Sequence, residues 1–204
     1  LSGNDDQGIK LMQLSDWNNI SNNIINNMQD DGPWSGQAVF LRNSCNNNTI
    51  HNNTIDGGES RGIHLFEESN WNNITFNNVQ NHYRGIHLAD WSNFNNIFNN
   101  TLIENGMSPN GHNIYIQEVK HNNLTFNFCH TSRLDSIEVN QGISNRVTEN
   151  TVINSYYDSG IKIYEGADNY VINNIARNND DYGIEIDNGD NCTVIQNDLL
   201  NNER

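Results

Sequence analysis

Proline is almost absent, with two in 204 residues, and cysteine is scarce at three. Basic residues are few as well. Ten Lys and Arg stand against 25 Asp and Glu, a net charge of −15. That balance excludes a duplex nucleic-acid binder, whose affinity comes from Lys and Arg displacing counterions from phosphates. No apolar run approaches the ~18 residues that would suggest a membrane span, and no signal-peptide pattern opens the chain. Only 34% of the residues are hydrophobic and 17% charged, and the gap is filled by asparagine, 44 of them. The length suits one domain. Such a composition points toward disorder, yet the apolar residues present are largely Ile, Val and Leu. Their periodicity decides the matter.

Tetrads of a small residue, an aliphatic, a variable residue and an aliphatic recur eight times: Gly8-Ile9-Lys10-Leu11, Ala38-Val39-Phe40-Leu41, Gly62-Ile63-His64-Leu65, Gly85-Ile86-His87-Leu88, Asn113-Ile114-Tyr115-Ile116, Ser136-Ile137-Glu138-Val139, Gly160-Ile161-Lys162-Ile163 and Gly183-Ile184-Glu185-Ile186. Steps between first aliphatics are 30, 24, 23, 28, 23, 24 and 23 residues, a period of 23 or 24 with two insertions. Each tetrad is followed by Asn-x-aliphatic-x-x-Asn-x-aliphatic. The second Asn of this pattern is unbroken: Asn23, Asn53, Asn77, Asn100, Asn127, Asn150, Asn174 and Asn197. Each unit supplies three short segments rich in β-branched residues, which predicts three strands per turn of a solenoid. A leucine-rich repeat has a similar period but needs a helix or 3₁₀ segment in each unit. Here the remaining residues are Asn, Ser, Thr, Asp and Gly, which disfavour helix. The sequence therefore predicts an all-β parallel β-helix of about eight rungs, a single domain over residues 1–204. At ~4.8 Å per rung, it would stand roughly 38 Å tall.

The Asn column is expected to be structural, each Asn adopting the left-handed conformation at a tight turn while its amide bonds those above and below. Seven Asn-x-Ser/Thr sequons follow from composition alone. Asp187-Asn188-Gly189-Asp190-Asn191 resembles a calcium loop faintly but lacks its bidentate Glu, so no cofactor and no metal site is called, and calcium is left without a supporting motif. The cysteines fall on rungs 2, 5 and 8. The nearer separations, about three rungs or ~14 Å, exceed the ~7 Å reach of a disulfide, so all three are expected as free thiols.

The paired Asn-x-aliphatic pattern followed by Gly-Ile-x-Leu resembles the right-handed parallel β-helix repeat of carbohydrate-binding and sugar-hydrolase domains, especially the NosD-like branch. The resemblance covers essentially the whole chain. Archaeal surface proteins and the disaggregatase of methanogen aggregates are similarly Asn-rich. The resemblance implies the fold strongly. It implies chemistry weakly, because lyases, hydrolases, epimerases, adhesins and spacers share this fold. It also implies a cleft on the first sheet beside projecting loops. A NosD-like role in metal-centre maturation is weaker, since no Met or His/Cys ligand set is visible.

Within each tetrad the aliphatics point inward and the residue between them outward. The outward column is Lys10, Phe40, His64, His87, Tyr115, Glu138, Lys162 and Glu185, flanked on one side by Arg61, Arg84, His112 and Asp135, and on the other by Arg42, Tyr164 and Glu118. Five of the ten basic residues fall on this sheet. Aromatic, cationic and carboxylate groups in an otherwise neutral wall are the composition of a sugar-binding groove. Both insertions, which carry the two prolines, lie in the turn before a first strand and would wall this face, the first presenting Trp34. Trp34, Phe40, Arg61, Arg84, His112, Lys162 and Tyr164 are therefore candidate substrate-binding residues. A second aromatic column, Trp17, Trp71, Phe94 and His121, is expected to pack within a turn.

Two mechanisms fit the residue types. In β-elimination from a uronate, Arg61 or Arg84 would neutralise the carboxylate while His64, His87 or Tyr115 served as base and acid. In hydrolysis, two carboxylates drawn from Glu118, Asp135 and Glu138 would flank the bond. The expectation is an extracellular or cell-surface domain processing a polysaccharide as lyase or glycoside hydrolase. The alternative is a non-catalytic carbohydrate-binding or structural solenoid. Solenoids need caps, so the chain is expected to be cut from a longer protein or to pair end to end.

Overall fold

In the computed structural model, residues 6–29, 36–106, 109 and 111–204 are described. Trp34 and the middles of both insertions lie outside the described residues.

The described chain is all strand and turn, wound as a parallel β-helix of eight rungs. First strands run Ile9–Met12, Val39–Arg42, His112–Gln117, Ile137–Asn140, Ile161–Tyr164 and Ile184–Asp187; those of rungs 3 and 4 are the ends of two long strands, Thr54–Phe66 and Asn78–Leu88, which turn the corner from the preceding rung unbroken. The register repeats the period read from the sequence: Ile9 pairs with Val39, Val39 with Ile63, Ile63 with Ile86 and Ile86 with Ile114. The column then continues through Ile137 and Ile161 to Ile184. Second strands such as Asn73–Thr75 and Asn96–Phe98 form their own eight-stranded parallel sheet.

Four inward columns make the core, and in rungs 2 to 7 every member is fully buried, from Val39, Leu41, Ile50 and Ile55 to Ile161, Ile163, Val171 and Ala176. A fully buried aliphatic contributes about 1.5–3 kcal/mol, so a narrow core with four apolar residues per rung suffices despite the low apolar fraction. Cys45 and Cys129 stand in this core and all three cysteines are free thiols.

The Asn column is a hydrogen-bonded ladder. Asn100 Oδ1 accepts from Asn77 N (2.9 Å) and Nδ2 (3.0 Å), while Asn100 Nδ2 donates to Ile74 O (2.8 Å) and Asn127 Oδ1 (3.0 Å). The expected left-handed conformation belongs instead to the preceding residue: Asn22, Asn52, Phe76, Asn99, Phe126, Glu149, Asn173 and Gln196 have φ of 52–58°. The reason is geometric. The turn residue must reverse the chain, leaving the ladder Asn free to aim its amide inward. A second ladder, Asn18, Asn48, Asn72, Asn95, Asn122, Asn145 and Asn169, is formed by the first Asn of the same Asn-x-aliphatic repeat.

Candidate functional site on the first sheet

Outward alternation on the first strands stacks the variable residues of the tetrads 4–6 Å apart. Phe40 lies on His64 with centroids 5.0 Å apart, and His64 on His87 at 4.6 Å, with planes within 12° and 5°. His87 then meets Tyr115 at 5.3 Å. These rings are not an exposed groove floor. Phe40, His64, His87, His112 and Tyr115 are all buried. Neither ring nitrogen of His64 has a hydrogen-bond partner. Burial, with Arg61, Arg84 and Arg42 nearby, holds His64 neutral, its pKa well below the ordinary imidazole value. His87 is held neutral in the same way, by burial first, then His64 and the two arginines.

Arg61 and Arg84, half-buried, close over this stack. Arg61 Nε lies 3.3 Å from His87 Nδ1, and Arg84 Nη1 3.4 Å from His87 Nε2. The Arg84 guanidinium also sits 3.9 Å above the Tyr115 ring. Guanidinium groups only donate and a neutral His87 has a single lone pair, so the ring accepts from one arginine while its N–H faces the other. Tyr115 is kept protonated, its pKa pushed up to about 12 by burial and the nearby Glu138 carboxylate.

Beyond Tyr115 the sheet turns acidic. His112 stacks on Tyr115 at 5.0 Å, with its Nε2 3.4 Å from Glu138 Oε2. Asp135 is 2% exposed and accepts from Ser159 N at 3.0 Å. Burial, Asp158 and Glu138 raise its pKa well above the ordinary carboxylate value, and burial raises that of Glu138. Lys162 pairs with Glu185 at 3.2 Å, and Ser159 Oγ donates to the same carboxylate oxygen at 2.9 Å. Asp158 was not singled out by sequence, although its place before Ser159 on the outer-face column is legible in the alignment of rungs.

The remaining candidates lie apart. Glu118 is exposed and belongs to the turn after the strand, where it joins Asn43, Glu67, Glu68, Asp90 and Trp91 around an open cleft of about 510 Å³. Asp90 there has its pKa raised by desolvation and by Glu118 and Glu67. Tyr164 is half-buried, and its hydroxyl is held against Glu165, which raises its pKa. Trp71, Phe94 and His121 stack on one another at 4.3 and 5.0 Å, largely exposed.

The family model described as right handed beta helix region matches residues 66–204, and that described as periplasmic copper-binding protein (NosD) matches residues 1–108. Each spans more than half of the chain, which therefore belongs to the right-handed β-helix family, its first half in the NosD branch. Among solved structures, the chain is similar to the periplasmic alginate epimerase AlgG, with TM-score 0.68 and 15% identity over 80% of this chain and 46% of that one. A double mutant of AlgG gives TM-score 0.69 and 18% identity over 74% of this chain and 35% of that one. The Azotobacter vinelandii mannuronan C-5 epimerase AlgE6 A-module gives TM-score 0.52 and 10% identity over 83% and 66%. The chain thus spans a third to a half of the alginate epimerase chains, and at these identities the likeness is one of fold. Among curated proteins, none matches the chain by sequence.

The NosD description names copper, which is held by thiolate, thioether and clustered imidazole ligands. Among the described residues the converging donors are His112 with Asp135 and Glu138, and Asp135 with Asp158 and Glu185. One imidazole among carboxylates does not fit copper. The His64 and His87 rings meet plane to plane, and Cys45 and Cys129 are sealed in the core.

Proposed function

We propose that this domain processes an acidic polysaccharide outside the cytoplasm, removing the proton α to a uronate carboxylate. The observation that carries the reading is the joint contact of Arg61 and Arg84 with His87, with Tyr115 beneath Arg84. A uronate carboxylate arriving at the two guanidinium groups would accept their hydrogen bonds, spread the charge that develops at C5, and acidify that proton. The same event frees the lone pair of His87, neutral at physiological pH, to act as base. Tyr115, protonated in the same pH range, supplies the acid for the leaving glycosidic oxygen.

The alginate epimerases that share the fold carry uronate substrates in their names, and the periplasmic description of AlgG and of NosD supports an extracytoplasmic setting. Hydrolysis has less support. The donor atoms of Asp135 and Glu138 lie within 4.8 Å of each other, closer than the ~5–9.5 Å that flanking carboxylates need. Glu118 stands in a separate cleft.

Incubation with a panel of acidic and neutral glycans tests the reading, with unsaturated products and new reducing ends measured separately. Unsaturated product from an acidic glycan, abolished in Arg84→Ala, is expected. Binding with neither product would leave the non-catalytic module, and reducing ends without unsaturation would select hydrolysis.

A further inference from the structure

On rungs 5 and 6, next to the Arg61–His87 constellation but separate from it, a buried imidazole converges with two largely buried carboxyl groups. His112 is 2% exposed. Its Nδ1 lies 3.0 Å from the backbone carbonyl of Asp135, which can only accept, so the ring proton sits on Nδ1. The other ring nitrogen, Nε2, faces Glu138 Oε2 at 3.4 Å. An Asp135 carboxylate oxygen joins them, and all three donor atoms lie within 4.8 Å of one another.

The surroundings are acidic as well. Asp158 and Glu185 crowd the far side of Asp135, also within 4.8 Å. Lys162 is drawn to Glu185 at 3.2 Å, and the Arg84 guanidinium lies on the Tyr115 ring. Four carboxylates thus share two cations. Carboxyl groups buried this closely together are costly to ionise, and a positive ion among them removes that cost. An imidazole whose far nitrogen is anchored on a carbonyl is also how proteins orient a metal-ligating His.

We propose that His112 Nε2, Asp135 and Glu138 bind a divalent cation of the harder, oxygen-preferring class, for which Mn²⁺ is the probe. The proposal does not depend on the polysaccharide reading, because its test measures the ion and not turnover. Titration of the folded protein with Mn²⁺, followed by electron paramagnetic resonance of the free ion and by calorimetry, is expected to give one saturable site and a melting temperature that rises with Mn²⁺. Glu138→Gln keeps the side-chain shape and is expected to weaken binding at least ~10-fold, as is His112→Gln. Asp158→Asn, with circular dichroism confirming the fold of each variant, is expected to stay close to the parent. Absence of saturable binding by the parent would overturn the site, as would a Glu138→Gln variant that binds equally well. Loss in Asp158→Asn alone would move the ion to the neighbouring carboxylates and refute the assignment.

Discussion

Asn100 shows what one residue does in this molecule. Its amide takes part in four hydrogen bonds that join three successive rungs, in a site 1% exposed. Asn100→Ala leaves the Asn77 N–H without a partner in the interior and removes one of the bonds to the Ile74 carbonyl, so a loss of about 3 kcal/mol is expected by urea denaturation. Substitution of Asn96, half-buried on the outer side of the neighbouring strand with one long side-chain contact to Asn73, is expected to change stability by less than ~0.5 kcal/mol. The ladder was legible because the repeat aligns eight Asn without a gap. Its backbone conformation was not, because period-based reasoning does not separate adjacent turn residues: the left-handed φ falls on Phe76 and Phe126, residues that rarely adopt it, one position before the ladder. The candidate site was legible to a similar depth. Alternation placed His64, His87 and Tyr115 on one column, which their stacking bears out, but it gave no means of seeing that Phe40 and His64 are buried.

The third strands and their corners show the same physics in longer segments. At Gly85 a Cβ would lie 2.6 Å from the carbonyl of Asn113 and 2.8 Å from Leu102. Backbone cannot yield as a side-chain end does. Gly85→Ala is therefore expected to cost about 1–3 kcal/mol, read as a shifted urea midpoint. The inner column at the end of the third strand, His82, Asn105, Ser132, Ser155, Asn179 and Asn202, holds one titratable member. Burial pushes the His82 pKa from 6.5 down to about 4, opposed only by Asp56. Between those values the unfolded chain binds a proton that the folded chain refuses, so His82 removes stability as pH falls from about 6.5 to about 4 and has no effect above that window. His64, His87 and His112 act in the same direction, while the raised Asp135 and Glu138 oppose them. His82→Asn isolates one share and restores a ladder residue. Across that window the variant is expected to lose less stability than the parent, by on the order of 2–3 kcal/mol, measured by denaturation at each pH. Equal slopes would contradict the burial argument.

At the scale of the whole molecule, the scarcity of basic residues and of apolar residues has one explanation. A solenoid needs only a few apolar columns for its core, so 34% hydrophobic residues are enough, and the ladders and repeating turns absorb the asparagine. The few cations are then free to be concentrated. Arg42, Arg61, Arg84 and Lys162 stand on one sheet of a chain that carries −15, and two of them meet on His87. That meeting is the basis of the proposed chemistry. Its most direct test is hydrogen exchange at the uronate C5 in D₂O, which reports proton removal whether the product is eliminated, inverted or returned. With uronate polymers, deuterium is expected at C5 in the presence of the parent protein, with at least a ~100-fold slower rate in His87→Ala. No deuterium from folded protein with bound polymer, or an undiminished rate in His87→Ala, would contradict it.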